Sequence, residues 1–160
     1  MAIFRTGDEL VMTLKKALQI EEGFESVAQW EAYVTTQDED FRKMMFQLLS
    51  DSERHKDMVE QMISKVNASN PRLATPLSPR VFNFSGKEDQ EVMDELFKTE
   101  NLMLNTYVLI REALTAGDID RLIDPSDREF FLRTLNDMIK EEGVHASLVS
   151  SKRGKMVRIR

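Results

Sequence analysis

The sequence predicts an all-α protein built on four long helices. Three observations carry that expectation. The chain has ten Met and only six Gly and four Pro in 160 residues, a composition that leans helical. The pattern S/T-x-x-E occurs at four well-spaced places: Thr6…Glu9, Thr36…Glu39, Ser85…Glu88 and Ser126…Glu129. In that pattern a hydroxyl accepts from the third amide of a helix while the glutamate reaches back to the cap amide. Each match opens a long segment whose apolar residues recur every three or four positions, the spacing of a helix with one buried face.

Taken in order, helix A covers about 7–35, B about 37–66, C about 87–116 and D about 127–150. The A–B link, TTQDED, is short, so A and B are expected to be antiparallel neighbours. Residues 67–86 hold three of the four prolines and cannot be helical throughout. That segment is long enough to cross the bundle and let B and C run parallel. Gly117 ends C, and the turn DIDRLIDP leads into D. The expectation is one up-down four-helix bundle over 1–150 with a long B–C crossover, followed by a frayed basic tail at 151–160.

Composition excludes several chemistries. There is no cysteine, so disulfides, thiol catalysis, iron–sulfur clusters and cysteine zinc sites are out. A net charge of −6 argues against nucleic acid as a partner. No apolar run approaches the roughly 18 residues of a membrane span. The opening MAIFRTGDEL lacks a secretion-signal core, so a cytoplasmic location is expected.

The chemistry lies where polar residues interrupt the apolar stripes. The stripe of B reads Phe41, Met44, Leu48, then Ser52 and His55, then Val59 and Met62. That of D reads Phe131, Leu135, Met138, then Glu142 and His145, then Val149. These are the only two histidines, and they fall at matching places. Glu142 and His145 stand one turn apart, so both can reach one metal ion. In C, Glu100 interrupts a face of Met93, Leu96, Met103, Tyr107, Ile110 and Leu114; in A, Glu21 interrupts Leu10, Leu14, Ala17 and Phe24. A buried carboxylate normally takes a proton, a partner or a cation. Glu21, Ser52, His55, Glu100, Glu142 and His145 are expected to converge on one interior spot.

The motifs AL-x-x-E at Ala17–Glu21, E-x6-Y at Glu100–Tyr107 and E-x-x-H at Glu142–His145 resemble those of rubrerythrin-like and bacterioferritin-like members of the ferritin-like superfamily. The resemblance covers about residues 8–150. It implies a ferritin-like bundle with a di-iron carboxylate centre. Glu21 and Glu100 would then be terminal carboxylates, Glu142 would bridge, and His55 and His145 would each hold one metal. Tyr107 would donate to a carboxylate on a neighbouring helix. Two ions per chain are implied, iron by resemblance; manganese or zinc suits the same donors.

Two departures stand beside the match. The family has Glu three residues before the first histidine, and this sequence has Ser52. Glu53 points about 100° away on the helix. Asp51 or Glu22 is the substitute that could restore the missing carboxylate. Helix A also lacks the Tyr seven residues after its Glu; Ala28 stands there. The B-side half of the site is therefore expected to be the weaker. Because clustered carboxylates repel, removing Glu142 is expected to raise the stability of the metal-free chain.

Two functions follow. One is a di-metal oxidoreductase of rubrerythrin type, reducing peroxide or oxidising ferrous iron. With no Cys pair for a rubredoxin-like domain, it would depend on a separate electron-donor protein. The other is a ferritin-like structural or regulatory module whose metal site has degenerated. A second apolar face on helix A, Ile20, Val27, Trp30 and Val34, predicts at least a homodimer.

Overall fold

The computed structural model describes residues 3–24, 33–34, 36–69 and 87–159, with side chains up to residue 155 except that of Phe24. Among these residues the protein is all-helical. Its elements are α1 (Gly7–Phe24), α2 (Glu39–Ser64), α3 (Asp89–Ala116), α4 (Ile119–Leu122), a 3-10 turn (Pro125–Asp127) and α5 (Arg128–Ile159). Residues 25–32 of the expected helix A lie outside the described residues, as does Ala28 with them.

Carboxylates, more than hydroxyls, set the helix starts. Glu9 N donates to Thr6 Oγ1 at 3.2 Å, as the first capping pattern requires, but the returning carboxylate takes Arg5 N. At α2 the cap is Asp38 rather than Thr36, accepting from Phe41 N at 3.0 Å. At α3 it is Glu88, whose amide donates to Glu91 Oε2 at 3.0 Å; Ser85 is outside the described residues. Ahead of α5, Asp124 accepts from Ser126 N at 2.9 Å and opens the 3-10 turn. A charged oxygen beside the positive end of a helix outcompetes a nearby hydroxyl.

The basic tail is not frayed: α5 continues to Ile159. Lys152 Nζ reaches Asp38 Oδ2 at 2.5 Å. Arg153 Nε reaches Asp94 Oδ1 at 2.7 Å, and its guanidinium lies over the Phe97 ring. Basic side chains in the last turns also suit the negative end of the helix.

These contacts fix the chain directions. At one end, Asn67 N donates to Leu122 O at 2.7 Å, Val66 bridges Ile123, Lys65 pairs with Asp127, and Gly7 lies against the Asn67 carbonyl. At the other end, Asp38 and Asp94 meet the last turns of α5. So α1 opposes α2, α3 opposes α5, and α2 and α3 run the same way. The chain between Ser64 and Asp89 joins opposite ends; the expected crossover, 67–86, lies mostly outside the described residues. The largest helix contacts are α3 on α5 and α1 on α2. No described helix is long and apolar enough to cross a membrane.

The buried apolar residues form two clusters. One gathers Leu10, Leu14, Val59, Tyr107, Phe131 and Leu135 with their neighbours around the α4 end. The other gathers Phe41, Leu48, Leu49, Met93, Leu96 and Val149 towards the opposite end. Each fully buried Leu, Met or Phe contributes roughly 1.5–3 kcal/mol. On α2, α3 and α5 buried polar residues separate the two clusters. Of the expected dimer face, Ile20 packs against the first cluster, Val34 is 69% exposed, and Val27 and Trp30 lie outside the described residues.

A Cβ on Gly7 would overlap the Asn67 carbonyl, a backbone group that cannot rotate away. Gly7→Ala is expected to destabilise the protein by about 1–3 kcal/mol, read as a lower chemical-denaturation midpoint. An unchanged midpoint would mean that the α1 start does not pack on the α2 end in solution.

Candidate metal centre

Four helices each send polar groups into the layer between the apolar clusters. From α1 comes Glu21, from α2 Ser52 and His55, from α3 Thr99 and Glu100, from α5 Glu142 and His145; all are buried. Each occupies the stripe position that helical spacing assigns to the core. The structure therefore brings together all six residues expected to converge. The His55 and His145 ring centroids are 6.0 Å apart.

Ligand-capable atoms fall into two groups that share one residue. Glu21, His55 and Glu142 form one; Glu100, Glu142 and His145 form the other. Within each group the atoms lie inside 4.8 Å of one another. Glu142 is the common member. Its Oε1 is 2.7 Å from His55 Nδ1 and its Oε2 is 3.6 Å from His145 Nδ1. Glu100 Oε2 is 3.4 Å from His145 Nδ1, and Glu21 Oε1 is 3.5 Å from His55 Nδ1.

His55 Nδ1 is fully buried and close to two carboxylates, yet it makes no aligned hydrogen bond. The layer also holds a small cavity of about 10 Å3 bordered by Glu21, Ser52, Thr99, Glu100, Glu142 and His145. A space of that size admits one water-sized sphere.

Outside the layer, each histidine gives its other nitrogen to a carboxylate of the opposite helix. His145 Nε2 lies 2.8 Å from Asp51 Oδ2, and His55 Nε2 lies 2.6 Å from Glu141 Oε2. Arg54 ties these two carboxylates together, at 2.9 Å from Asp51 and 2.7 Å from Glu141. A carboxylate on the outer nitrogen fixes the ring so that Nδ1 faces the layer.

Asp51 therefore does not fill the missing carboxylate position, because its oxygens are committed to His145 and Arg54. Glu22 does not fill it either: it is exposed, one residue and about 100° from the buried Glu21. Sequence reasoning missed Arg54 and Glu141. A signal for Glu141 was present, since it precedes His145 by four residues as Asp51 precedes His55. Tyr107 does what the resemblance implies, donating its hydroxyl to Glu21 Oε1 at 2.7 Å. Ser52 donates to the other oxygen of Glu21 at 2.5 Å.

Without metal the layer is an ion-pair network, and the protonation states follow from it. Burial opposes charge on His55, but Glu142 and Glu21 overcome it and push the imidazole up to about 10. Burial likewise opposes charge on His145, and Glu100 and Glu142 push it up to about 11. Burial works against the Glu142 carboxylate, yet the two histidines bring it down to about 2. Burial, with repulsion from Glu142, raises Glu100 to about 8 despite His145. Burial and the nearby Glu21 hold the Tyr107 phenol well above its ordinary value, so it stays a donor.

The layer is thus not a cluster of like charges, and the expected gain from deleting Glu142 is reversed. Its carboxylate sits between two imidazolium ions, and its loss leaves both short of a partner. Glu142→Ala is expected to lower the stability of the metal-free chain by roughly 2–3 kcal/mol.

Comparison with protein-family models, with curated proteins and with solved structures finds no match to this chain.

The pH dependence of the metal-free protein follows from the two histidines. Each binds its proton more tightly folded than unfolded, where the value is 6.5. Their stabilisation is complete below about 6.5 and is lost as pH rises through 10 and 11. Chelator-treated protein is expected to melt at progressively lower temperature from neutral to alkaline pH. A flat profile over that range would refute the charged-histidine network.

Proposed function

We propose that this layer is a carboxylate-bridged centre for two divalent metal ions, iron by resemblance, in a ferritin-like four-helix bundle. The observation that carries the reading is the sharing of Glu142 between two histidine–carboxylate groups. The donor set fits: imidazole nitrogen with carboxylate oxygen suits iron, manganese and zinc. His55 Nδ1, buried and without an aligned partner, is a ligand in this reading. The chain directions suit a bundle in which the second and third helices run parallel, joined by a crossover.

Iron at these positions supplies one-electron redox chemistry at two adjacent ions, which suits reduction of peroxide or oxidation of ferrous iron. The chain's own groups do the rest. Glu142 spans the two positions, while Glu21 and Glu100 close the two flanks. Asp51 and Glu141 hold the outer imidazole nitrogens, so both rings would present a neutral Nδ1 to a bound ion. Tyr107 and Ser52 hold Glu21 in place. The apolar clusters above and below exclude bulk water, which strengthens every charge interaction between them. Electrons come from a separate donor protein, and the chain assembles at least as a homodimer.

A second reading has its own observation. Both oxygens of Glu21 already have donors, Tyr107 and Ser52, so the layer satisfies itself as a structural network. Metal content separates the two.

Elemental analysis of protein loaded with ferrous iron or zinc is expected to give two ions per chain. Glu142→Ala is expected to lose nearly all of it, because that residue belongs to both groups, while Glu100→Ala is expected to keep about half. Wild-type protein that takes up no metal would leave only the structural reading.

A further inference from the structure

The helix α3 buries one face and carries an apolar line on the opposite one. Met93, Leu96, Met103, Tyr107 and Ile110 point into the bundle. Leu102 and Leu109 lie on the far side of the helix, 39% and 62% exposed. Lone leucines on a surface are ordinary; the spacing here is not. Lys98, Leu102, Asn105, Leu109 and Glu112 are all exposed and follow one another at intervals of 4, 3, 4 and 3 residues. That is the spacing of a seam between two paired helices.

The charges on this line select its occupant. Lys98 ends it on one side and Glu112 on the other, and among the described residues neither is in an ion pair. Glu91, seven residues before Lys98, is taken by the α3 cap. A second copy laid antiparallel brings Lys98 to the partner's Glu112 and Leu102 to the partner's Leu109. Two-fold symmetry repeats both contacts and sets Asn105 against its own copy at the axis, where an amide in an apolar seam fixes the register. A parallel copy would put lysine on lysine and glutamate on glutamate. The other exposed apolar line, Val144 and Leu148 on α5, lies between Lys140 and Lys155, so a second copy there meets lysine with lysine in either direction.

We infer that the outer face of α3 is a homodimer interface, in which two copies of the helix pair antiparallel and Lys98–Glu112 ion pairs flank a seam of Leu102 and Leu109. The inference names the face for the homodimer proposed above and rests on that reading; it does not depend on metal. The paired stretch is about 20 Å of helix, short of a standard interface, so the dissociation constant is expected on the order of 1–100 µM. Exposed charge pairs make the association weaker as salt rises.

Sedimentation velocity of the full chain at low ionic strength, from about 1 µM to about 1 mM, reads the association. Lys98→Glu and Glu112→Lys each turn two attractive pairs into two repulsive ones, and each is expected to raise the dissociation constant at least about tenfold. Mixed one to one, the two variants bring opposite charges together at both pairs, so the mixture is expected to dimerise with an affinity close to wild type. Leu109→Ser is expected to weaken association about tenfold with helical circular dichroism unchanged. Should a charge variant fail to fold, Leu109→Ser decides: wild-type affinity overturns the inference. Charge variants that dimerise as tightly as wild type, or a mixture no tighter than either variant alone, overturn it while leaving the homodimer reading intact. Wild-type protein that stays monomeric throughout overturns both.

Discussion

The arrangement depends on one carboxylate placed between two imidazoles. Glu142 holds His55 at 2.7 Å and His145 at 3.6 Å, and it is the residue through which the four long helices come to share charge. Burying three carboxylates and two histidines is prohibitive group by group. It becomes acceptable because positive and negative groups alternate across the layer, and because the outer nitrogens meet Asp51 and Glu141. Arg54 then locks those two carboxylates to each other. This ladder joins α2 to α5 through side-chain contacts beside the apolar packing.

In the proposed reading the same arrangement would let one layer take two states. Protons on the histidines and cations near the carboxylates are alternative ways of neutralising the same negative charge. The side chains need no wholesale repacking to exchange one for the other, since the outer carboxylates hold the rings in either case.

Much of this was legible in the sequence, for a physical reason. Apolar stripes with period near 3.6 are strong signals in long helices, and a polar residue within one is conspicuous. That is how Glu21, His55, Glu100, Glu142 and His145 are found together. The caps were less legible: Thr36 and Ser126 match a hydroxyl pattern, but Asp38 and Asp124 stand close enough to take the role with a full charge. The tail misled because basic residues read as solvated, whereas Lys152 and Arg153 find Asp38 and Asp94 on other helices, pairings with no local sequence signature. Arg54 and Glu141 were missed because each lies off the stripe and acts across two helices. The sign expected for Glu142→Ala changes with the structure, because counting carboxylates ignores the protons that histidines carry when surrounded by them.

The separation of the apolar residues into two clusters has a consequence for cooperativity. A continuous core couples all its helices through shared packing, but here the clusters are divided by a layer whose cohesion is electrostatic. Packing energy cannot pass directly from the Phe131 side to the Phe41 side; it passes through the helix backbones and the ion pairs between them. The strength of the layer therefore decides whether the molecule opens as one unit or as two. The terminal pairs Lys152–Asp38 and Arg153–Asp94 are then more than local anchors. They clamp the end that lies farthest from α4 as Lys65–Asp127 clamps the α4 end, so each half carries a charged closure beyond its apolar cluster whose strength falls as ionic strength rises.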